Sequence, residues 1–166
     1  EWSGDIGSWC CLSADNELGI VYVPLGAPTS AYYGGHRPGD NLFANSLLAL
    51  DAETGERVWH FQMIHHDLWE YDNSSPPILG DITVNDRTIK AVMQANKNGF
   101  VYVFDRTNGE PVWPIIETPV PQSIVEGEAT SATQPIPTKP PAFDRQGIAL
   151  DDLIDFTPAL RNQALE

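Results

Sequence analysis

A repeat with a period of 54 residues constrains this chain more than any other feature of its sequence. Each copy begins after a short apolar segment and has the pattern Asp-x3-Gly-x3-Trp. The matched residues are Asp51 and Asp105, Gly55 and Gly109, and Trp59 and Trp113. Repeats of this length are typical of folds in which each unit is a small sheet that stacks on its neighbours. The Asp, Gly and Trp are therefore interpreted as turn and packing residues rather than as catalytic ones.

Strand and turn signals alternate closely over the first two thirds of the chain. β-Branched and aromatic residues are concentrated in short runs, and Asn, Asp or Gly residues separate these runs. The predicted strands are 18–24, 46–51, 57–62, 78–84, 89–95 and 100–104. Together with the repeat, these segments predict an all-β fold, specifically a partial β-propeller.

The number of repeats predicts an incomplete ring. About three units of this length fit into the chain, whereas closed propellers have ~4–8 blades. The sequence also starts with Glu1 instead of Met and stops without a segment that would close a ring. We therefore expect residues 1–166 to be a piece of one propeller domain, about three blades long, within a longer protein.

The last third of the sequence has a different character. Seven of the 14 prolines lie between residues 114 and 145, and this density predicts an irregular, partly extended insertion. A short helix is predicted within 150–156. A second is predicted at 157–161, with Thr157 as N-cap and Pro158 as the first helical residue.

The net charge of −14 excludes one class of partner. A nucleic-acid-binding surface needs Lys and Arg side chains that neutralise phosphates, and this chain has few of either. The excess of carboxylates is compatible with a site that holds a cation. No apolar run approaches the ~18 residues of a membrane helix.

The two cysteines are adjacent in the sequence, as Cys10 and Cys11. A disulfide between neighbours needs a distorted peptide, so two small buried residues of a strand are the favoured interpretation. The chain contains no Cys-x-x-Cys-His sequence, which is the attachment pattern of covalent haem.

Candidate chemistry is concentrated in one stretch between the two copies of the repeat. This stretch reads His65-His66-Asp67-Leu68-Trp69-Glu70-Tyr71-Asp72 and holds two imidazoles and three carboxylates. It lies in a predicted loop, 63–77, that ends at two prolines. A second long loop, 26–45, is rich in Gly and Pro. Long loops in a compact domain are often functional.

The repeat, the His-His-Asp-Leu-Trp stretch and the turn Lys97-Asn98-Gly99-Phe100 together resemble the pyrroloquinoline quinone (PQQ) dependent dehydrogenases. The resemblance extends over residues 2–161 and is strongest to the membrane-type quinoprotein glucose dehydrogenases. It implies an eight-bladed propeller with PQQ near its axis and a metal ion beside PQQ. It also implies that the pattern at 49–59 is the family's tryptophan-docking repeat.

The resemblance implies roles for three residues at the cofactor. Trp9, which is followed six residues later by Asp15, matches the tryptophan on which the quinone ring lies. Lys97 matches the basic residue that contacts the quinone oxygens. Glu70 falls where the family has its catalytic Asp, which takes the proton of the substrate hydroxyl. The corresponding structural interpretations are a core aromatic, a solvated turn lysine and a surface glutamate.

Thr29 and Asp72 are the metal ligands that the resemblance implies. Thr29 matches a loop position near the metal, where the methanol-type branch has Asn, and hard cations accept such neutral oxygens. Asp72 resembles the additional ligand of lanthanide-using alcohol dehydrogenases, although glucose-type members also have this residue. The expected metal is Ca²⁺ or Mg²⁺, with a lanthanide as the alternative. His65 and His66 are interpreted as structural or substrate-side residues rather than as zinc ligands.

The expected function is a dehydrogenase that oxidises a sugar or polyol hydroxyl with PQQ and passes electrons to ubiquinone or a cytochrome. The expected location is the periplasm, either free or attached to the inner membrane by a segment outside these residues. Two alternatives are a non-catalytic propeller scaffold, which would bind partners on its blade edges, and an alcohol dehydrogenase of the quinohaemoprotein type.

Overall fold

The computed structural model describes residues 6–30 and 32–166. Within these ranges the chain is built almost entirely of antiparallel strands, so the predicted all-β fold is confirmed. The strands are β1 (Ser13–Asp15), β2 (Ile20–Pro24), β3 (Ser46–Asp51), β4 (Arg57–Gln62), β5 (Ile78–Val84), β6 (Arg87–Ala95), β7 (Val101–Asp105), β8 (Ile115–Pro119) and β9 (Thr133–Pro137). A 3-10 turn spans Leu150–Asp152, and helix α1 spans Pro158–Ala164.

The first sheet contains β1 to β4 in chain order. Alternate residues of β2 point into the core, so that Ile20, Tyr22 and Pro24 are buried. The turn between β3 and β4 is held by Asp51, whose Oδ1 accepts the backbone amide of Thr54 at 2.8 Å. The predicted turn chemistry of the repeat therefore forms the hairpin.

The second sheet contains β5, β6 and β7, and its fourth strand is reduced to a single bridge between Phe104 and Pro111. Pro111 corresponds in the repeat to Arg57, which begins β4 in the first sheet. Proline has no backbone N–H to donate to a neighbouring strand. The proline therefore weakens strand pairing where β4 begins in the first sheet, and a second proline, Pro114, stands at the position of His60 in β4.

Aromatic side chains join the two sheets. The rings of Trp59 and Phe104 lie 5.9 Å apart and those of Phe61 and Phe104 lie 4.9 Å apart. The indole Nε1 of Trp59 also donates a hydrogen bond to the backbone oxygen of Arg106 at 3.3 Å. The Trp of the first repeat therefore packs on the turn of the second, where Gly109 lies directly against the indole.

We expect Gly109→Ala to lower the free energy of unfolding by more than Gly55→Ala does at the equivalent turn of the first repeat. Both glycines have a left-handed backbone, with φ of +80° and +72°, which costs an alanine about 1–2 kcal/mol. At Gly109 the new Cβ would also lie 2.7 Å from Cδ2 of Trp59, whereas at Gly55 it would meet no atom within 4 Å. Overpacking adds about 1–3 kcal/mol. Denaturant unfolding of both variants measures the difference, and equal losses would contradict the packing argument.

The proline-rich segment 114–145 is not wholly irregular, contrary to expectation. It contains the antiparallel hairpin of β8 and β9, in which Glu117 pairs with Pro135. Pro135 and Pro137 are two residues apart, so their missing N–H groups fall on the same side of β9, the side that faces away from β8. Proline density therefore did not exclude a strand here, because the spacing leaves the ladder intact.

Helix α1 begins at the position that the sequence predicts. Thr157 caps α1 by accepting the amide of Leu160 at 3.2 Å, and Pro158 is the first helical residue, as predicted.

Cys10 and Cys11 are free thiols that precede β1, and Cys11 is exposed, so the interpretation as buried strand residues is wrong. No helix within residues 6–30 and 32–166 is long and apolar enough to cross a membrane.

Candidate active site

Three connections meet at one end of the sheets and line an open cavity. They are the loop 25–45 after β2, the loop 63–77 after β4 and the turn 96–100 after β6. Together with the segment before β1, they form a cavity of about 580 Å³. It is lined by Gly7, Trp9, Gly26, Ala27, Pro28, Thr29, Ser30, Glu70, Asp72 and Lys97. The structure therefore brings all five predicted site residues together, although they come from four separate segments.

Lys97 is held in place by Asp72. Its Nζ donates a hydrogen bond to Oδ2 of Asp72 at 2.6 Å, and the same nitrogen lies 5.6 Å from the centre of the Trp9 ring. The hydrogen bond to Asp72 raises the pKa of Lys97 above its ordinary value of 10.5, against the effect of burial. Lys97 is therefore a fixed ammonium beside an indole face and not a freely solvated turn lysine.

Asp72 is itself anchored on its other side. The carboxylate is buried, and its Oδ1 accepts the backbone amide of Ala27 at 2.6 Å. The preceding residue is Gly26, where a Cβ would lie 2.8 Å from Oδ1 of Asp72 and 3.2 Å from Nε1 of Trp9. Glycine at this position allows the loop after β2 to lie against both side chains.

Trp9 lines the cavity with an accessible ring. Its side chain is 63% exposed, and it precedes β1 rather than belonging to a strand. The alternative interpretation of Trp9 as a core aromatic is therefore wrong. A planar ligand could stack on this face, because aromatic faces attract flat ring systems.

Glu70 lies on a loop that Asp67 organises. Oδ1 of Asp67 accepts the amide of Trp69 at 2.8 Å, and Oδ2 accepts the amide of Tyr71 at 2.7 Å. Oδ2 also accepts Nδ2 of Asn45 at 2.8 Å. Burial raises the pKa of Asp67, although these three donors favour its ionised form. The buried carboxyl thus fixes the backbone on both sides of Glu70.

The backbone of Glu70 is in the left-handed region, with φ of +59°. Non-glycine residues rarely adopt this conformation, and such residues are concentrated at functional sites. The side chain is directed into the cavity region, where its Oε2 accepts a hydrogen bond from the hydroxyl of Tyr32 at 2.8 Å. Glu70 is therefore a positioned carboxylate rather than an unconstrained surface glutamate.

A buried amide network connects the loop of Glu70 to the turn of Lys97. Nδ2 of Asn96 donates to the backbone oxygen of Tyr71 at 2.7 Å and to Oδ1 of Asn73 at 2.9 Å. The amide of Lys97 donates to the backbone oxygen of Asp72 at 3.2 Å. These bonds keep the two cavity walls at a fixed separation, since buried polar networks of this kind are rigid.

Thr29 and Asp72 both line the cavity, and Thr29 is exposed. Their predicted role as metal ligands stays a prediction. Both carboxylate oxygens of Asp72 already accept strong hydrogen bonds, from Lys97 and from Ala27. In the described residues, no group of three or more His, Cys, Asp or Glu side chains is arranged to hold a metal ion.

The two histidines make structural contacts. His65 bonds to Glu117 of β8 through Nε2 at 3.1 Å, and its backbone amide donates to Oε1 of Gln134 in β9 at 2.9 Å. His66 is buried, and its Nδ1 lies 2.6 Å from the backbone oxygen of Gly39. Since a carbonyl only accepts, Nδ1 of His66 carries the proton. His65 therefore attaches the motif loop to the proline-rich hairpin.

Sequence reasoning missed Tyr32 and the supporting roles of Asp67 and Asn45. The spacing Asp67-x-Trp69-x-Tyr71 is a signal for an aspartate that accepts backbone amides two and four residues later, and it could have identified Asp67. Tyr32 and Asn45 gave no such signal, because their partners lie 38 and 22 residues away.

The family model for the β-propeller domain of PQQ-type glucose/ethanol/alcohol dehydrogenases matches residues 1–166. The chain belongs to this quinoprotein family. The resemblance stated from the sequence is confirmed, and so is the partial β-propeller. Within the described residues the first sheet is a complete four-stranded blade, and the second has three strands. The total of eight blades stays a prediction.

Curated relatives of this quinoprotein chain include enzymes with different substrates. It is 43% identical over 129 residues to the quinoprotein glucose dehydrogenase of Escherichia coli (strain K12), covering 77% of this chain and 16% of the relative. It is 36% identical over 158 residues to the glycerol dehydrogenase large subunit of Gluconobacter oxydans (strain 621H), covering 93% of this chain and 21% of the relative. The chain thus spans about a fifth of the length of these relatives.

Solved structures show the same fold. The quinohemoprotein alcohol dehydrogenase from Comamonas testosteroni has a TM-score of 0.62 and 32% identity, over 82% of this chain and 20% of that one. A europium-containing methanol dehydrogenase has a TM-score of 0.62 and 27% identity, over 80% of this chain and 23% of that one.

Proposed function

We propose that this quinoprotein chain forms part of the active site of a PQQ-dependent dehydrogenase that oxidises a hydroxyl group of a sugar or polyol. The observation that supports this most directly is the placement of Trp9, Lys97 and Glu70 around one cavity. The identity of 43% to a quinoprotein glucose dehydrogenase supports the sugar-type substrate. Ubiquinone or a cytochrome would accept the electrons, and the periplasm would be the location.

The residues present fit PQQ, which is a flat and anionic ring system. The accessible face of Trp9 can stack on the ring, and the ammonium of Lys97 lies beside that face to pair with its oxygens. Gly26 adds no side chain to the cavity wall beside Trp9 and Asp72. When bound, PQQ supplies a two-electron acceptor for the hydride of the substrate C–H bond.

The chain's own residues would handle the proton. Glu70 would remove the proton of the substrate hydroxyl as the hydride leaves the adjacent carbon, so that the alcohol becomes a carbonyl. Lys97 would stabilise negative charge on the reduced cofactor, because a fixed cation in a cavity needs no rearrangement. Asp72 would keep Lys97 in position through their 2.6 Å hydrogen bond.

A metal ion would be held by oxygen donors of Thr29 and Asp72, with Ca²⁺, Mg²⁺ or a lanthanide as the candidates. The europium-containing relative supports the last option. If Asp72 is a ligand, Asp72→Asn should change which metal restores activity. If it only anchors Lys97, the same variant should weaken PQQ binding equally with every metal.

A quinohaemoprotein alcohol dehydrogenase is the second candidate, because solved structures of that class share the fold at 32% identity. The substrate then would be a simple alcohol. Comparison of glucose, glycerol and ethanol as substrates for the complete protein separates the two candidates. A haem spectrum in the complete protein would favour the second.

Reconstitution of the complete protein that contains these residues tests the proposal. After removal of cofactor and metal, PQQ is added back with Ca²⁺, Mg²⁺ or a lanthanide, and PQQ binding and dye reduction are measured. Activity that depends on PQQ is expected. Failure to bind PQQ with any of these metals would overturn the proposal and favour the non-catalytic scaffold.

Lys97→Met is expected to raise the PQQ dissociation constant about 10- to 100-fold, since a charge-assisted hydrogen bond contributes about 1.5–3 kcal/mol. Lys90→Met is the matched control, because Lys90 pairs with Glu17 in a salt bridge away from the cavity. Equilibrium titration with PQQ measures both variants. Equal affinities for the two variants would show that Lys97 does not contact the cofactor.

A further inference from the structure

The hydroxyl of Tyr32 makes a hydrogen bond that no part of the proposed reaction has used. It donates to Oε2 of Glu70 at 2.8 Å, from the loop after β2 across to the loop after β4. Tyr32 is 74% exposed, so packing in the core does not account for its position beside Glu70. The bond joins two residues that are 38 positions apart.

The pKa of Tyr32 agrees with this geometry. It is raised above the ordinary value of 10.0, first because the hydroxyl donates to Glu70 and second because the Glu70 carboxylate is negatively charged. Asp72 raises it further, and Lys97 opposes the rise. The neutral phenol is therefore favoured, and it is the neutral phenol that can donate.

Glu70 needs such a partner more than a shorter side chain would. Its carboxylate is carried on two methylene groups and starts from a left-handed backbone, so several orientations are accessible to it. A hydrogen bond to Oε2 restricts the rotation of the carboxylate and does not occupy Oε1. An Asp at position 70 would be shorter by about 1.5 Å, one C–C bond, and would not reach the hydroxyl.

We propose that Tyr32 is a positioning residue, which orients the carboxylate of Glu70 for proton removal. This inference rests on the proposed function of Glu70 as the base. Tyr32 does not itself exchange a proton with the substrate. It restricts the rotation of Glu70 so that one oxygen is directed to the substrate hydroxyl, and orientation of this kind contributes directly to rate.

The first test is Tyr32→Phe in the complete protein with PQQ and metal bound. We expect kcat to fall about 3- to 10-fold, because a solvent-exposed hydrogen bond contributes at the low end of the usual range and its loss only lets Glu70 rotate. KM, the PQQ dissociation constant and the thermal midpoint should not change. Tyr33→Phe is the matched control, since its hydroxyl donates to the backbone oxygen of Glu126 at 3.3 Å.

A double-mutant comparison separates positioning from a general effect on the loop. If Tyr32 acts through Glu70, Tyr32→Phe should have no further effect in the Glu70→Asp background, because the shorter side chain does not reach the hydroxyl. An equal loss of kcat in both backgrounds would overturn the proposal. So would a Tyr32→Phe variant whose main change is in PQQ affinity or in thermal midpoint.

A second readout does not depend on activity. Absorbance of the phenolate follows the titration of Tyr32 as the difference between the wild type and Tyr32→Phe. Glu70→Gln should lower the pKa of Tyr32 towards 10.0, because the negative charge is removed. An unchanged titration would show that the two side chains do not interact. The wild-type protein could show this coupling between Tyr32 and Glu70 but no PQQ-dependent activity. That result would disprove the proposed dehydrogenase function, and with it the role of Tyr32 in proton removal, but not the contact between the two side chains.

Discussion

Replacing Glu70 by Gln is expected to lower kcat about 10²- to 10⁴-fold, the usual contribution of a general base. Glutamine has nearly the same shape, so Tyr32 can still donate to the side-chain oxygen at this position. The amide is unable to accept a proton from a substrate hydroxyl. The PQQ dissociation constant should stay close to that of the wild type, because Trp9 and Lys97 are untouched.

Steady-state kinetics of dye reduction with the fully loaded protein measure this loss. Equal decreases in kcat and kcat/KM are expected, which is the pattern for an interaction made in the transition state. Glu56→Gln is the control, since Glu56 is exposed in the turn between β3 and β4. A Glu70→Gln variant that retains wild-type turnover would show that another group removes the proton.

Replacing Arg106 by Met is expected to destabilise the contact between the two sheets by about 3–5 kcal/mol, the cost of leaving a buried charge without its partner. Nε of Arg106 donates to Oδ2 of Asp15 at 2.6 Å, and the guanidinium also bonds to Asp81 at 3.0 Å. The side chains of Asp15 and Arg106 are only 5% and 11% exposed. Arg106, in the turn after β7, therefore connects β1 of the first sheet to β5 of the second through its bonds to Asp15 and Asp81.

Hydrogen exchange of the β1 and β5 amides in the complete protein measures this loss locally. The double variant Asp15→Asn with Arg106→Met should be more stable than Arg106→Met alone, because it no longer contains the unpaired carboxylate. Arg87→Met is the control, since Arg87 is exposed. A loss below about 1 kcal/mol in Arg106→Met would place the pair among ordinary surface salt bridges.

The ion pair of Asp15 and Arg106 also makes the contact between the two sheets sensitive to acid. Burial opposes the ionisation of Asp15, but hydrogen bonds from Arg106 and from two backbone amides outweigh it and lower the pKa below the ordinary 3.8. The unfolded chain therefore binds a proton at higher pH than the native chain does. The stabilisation is complete well above pH 3.8 and is lost as the pH falls through the native pKa.

Local chemistry was sufficient to predict much of the fold. The strands predicted at 46–51, 57–62 and 78–84 have the observed bounds, and the N-cap at Thr157 is present. Each of these rests on alternation, turn residues or capping within a few positions. The hairpin of β8 and β9 was not predicted because proline density suggested irregular structure, and its strands are separated by more than ten residues.

For the candidate site, the sequence predicted which residues take part but not how they contact one another. A motif resemblance identified Trp9, Thr29, Glu70, Asp72 and Lys97, and the structure places all of them on one cavity. The sequence did not indicate that Asp72 holds Lys97, since they are 25 residues apart and each had been assigned a different ligand.

The sequence by itself determined the repeat, the all-β character, the turns and the residue types available for chemistry, because these depend on interactions between near neighbours. The tertiary structure alone decided which of those residues meet. The contacts of Tyr32 with Glu70, of Asp72 with Lys97 and of Asp15 with Arg106 join residues 25 to 91 positions apart. No local pattern encodes such pairs, because they form only when loops from successive strands and two packed sheets close on one another.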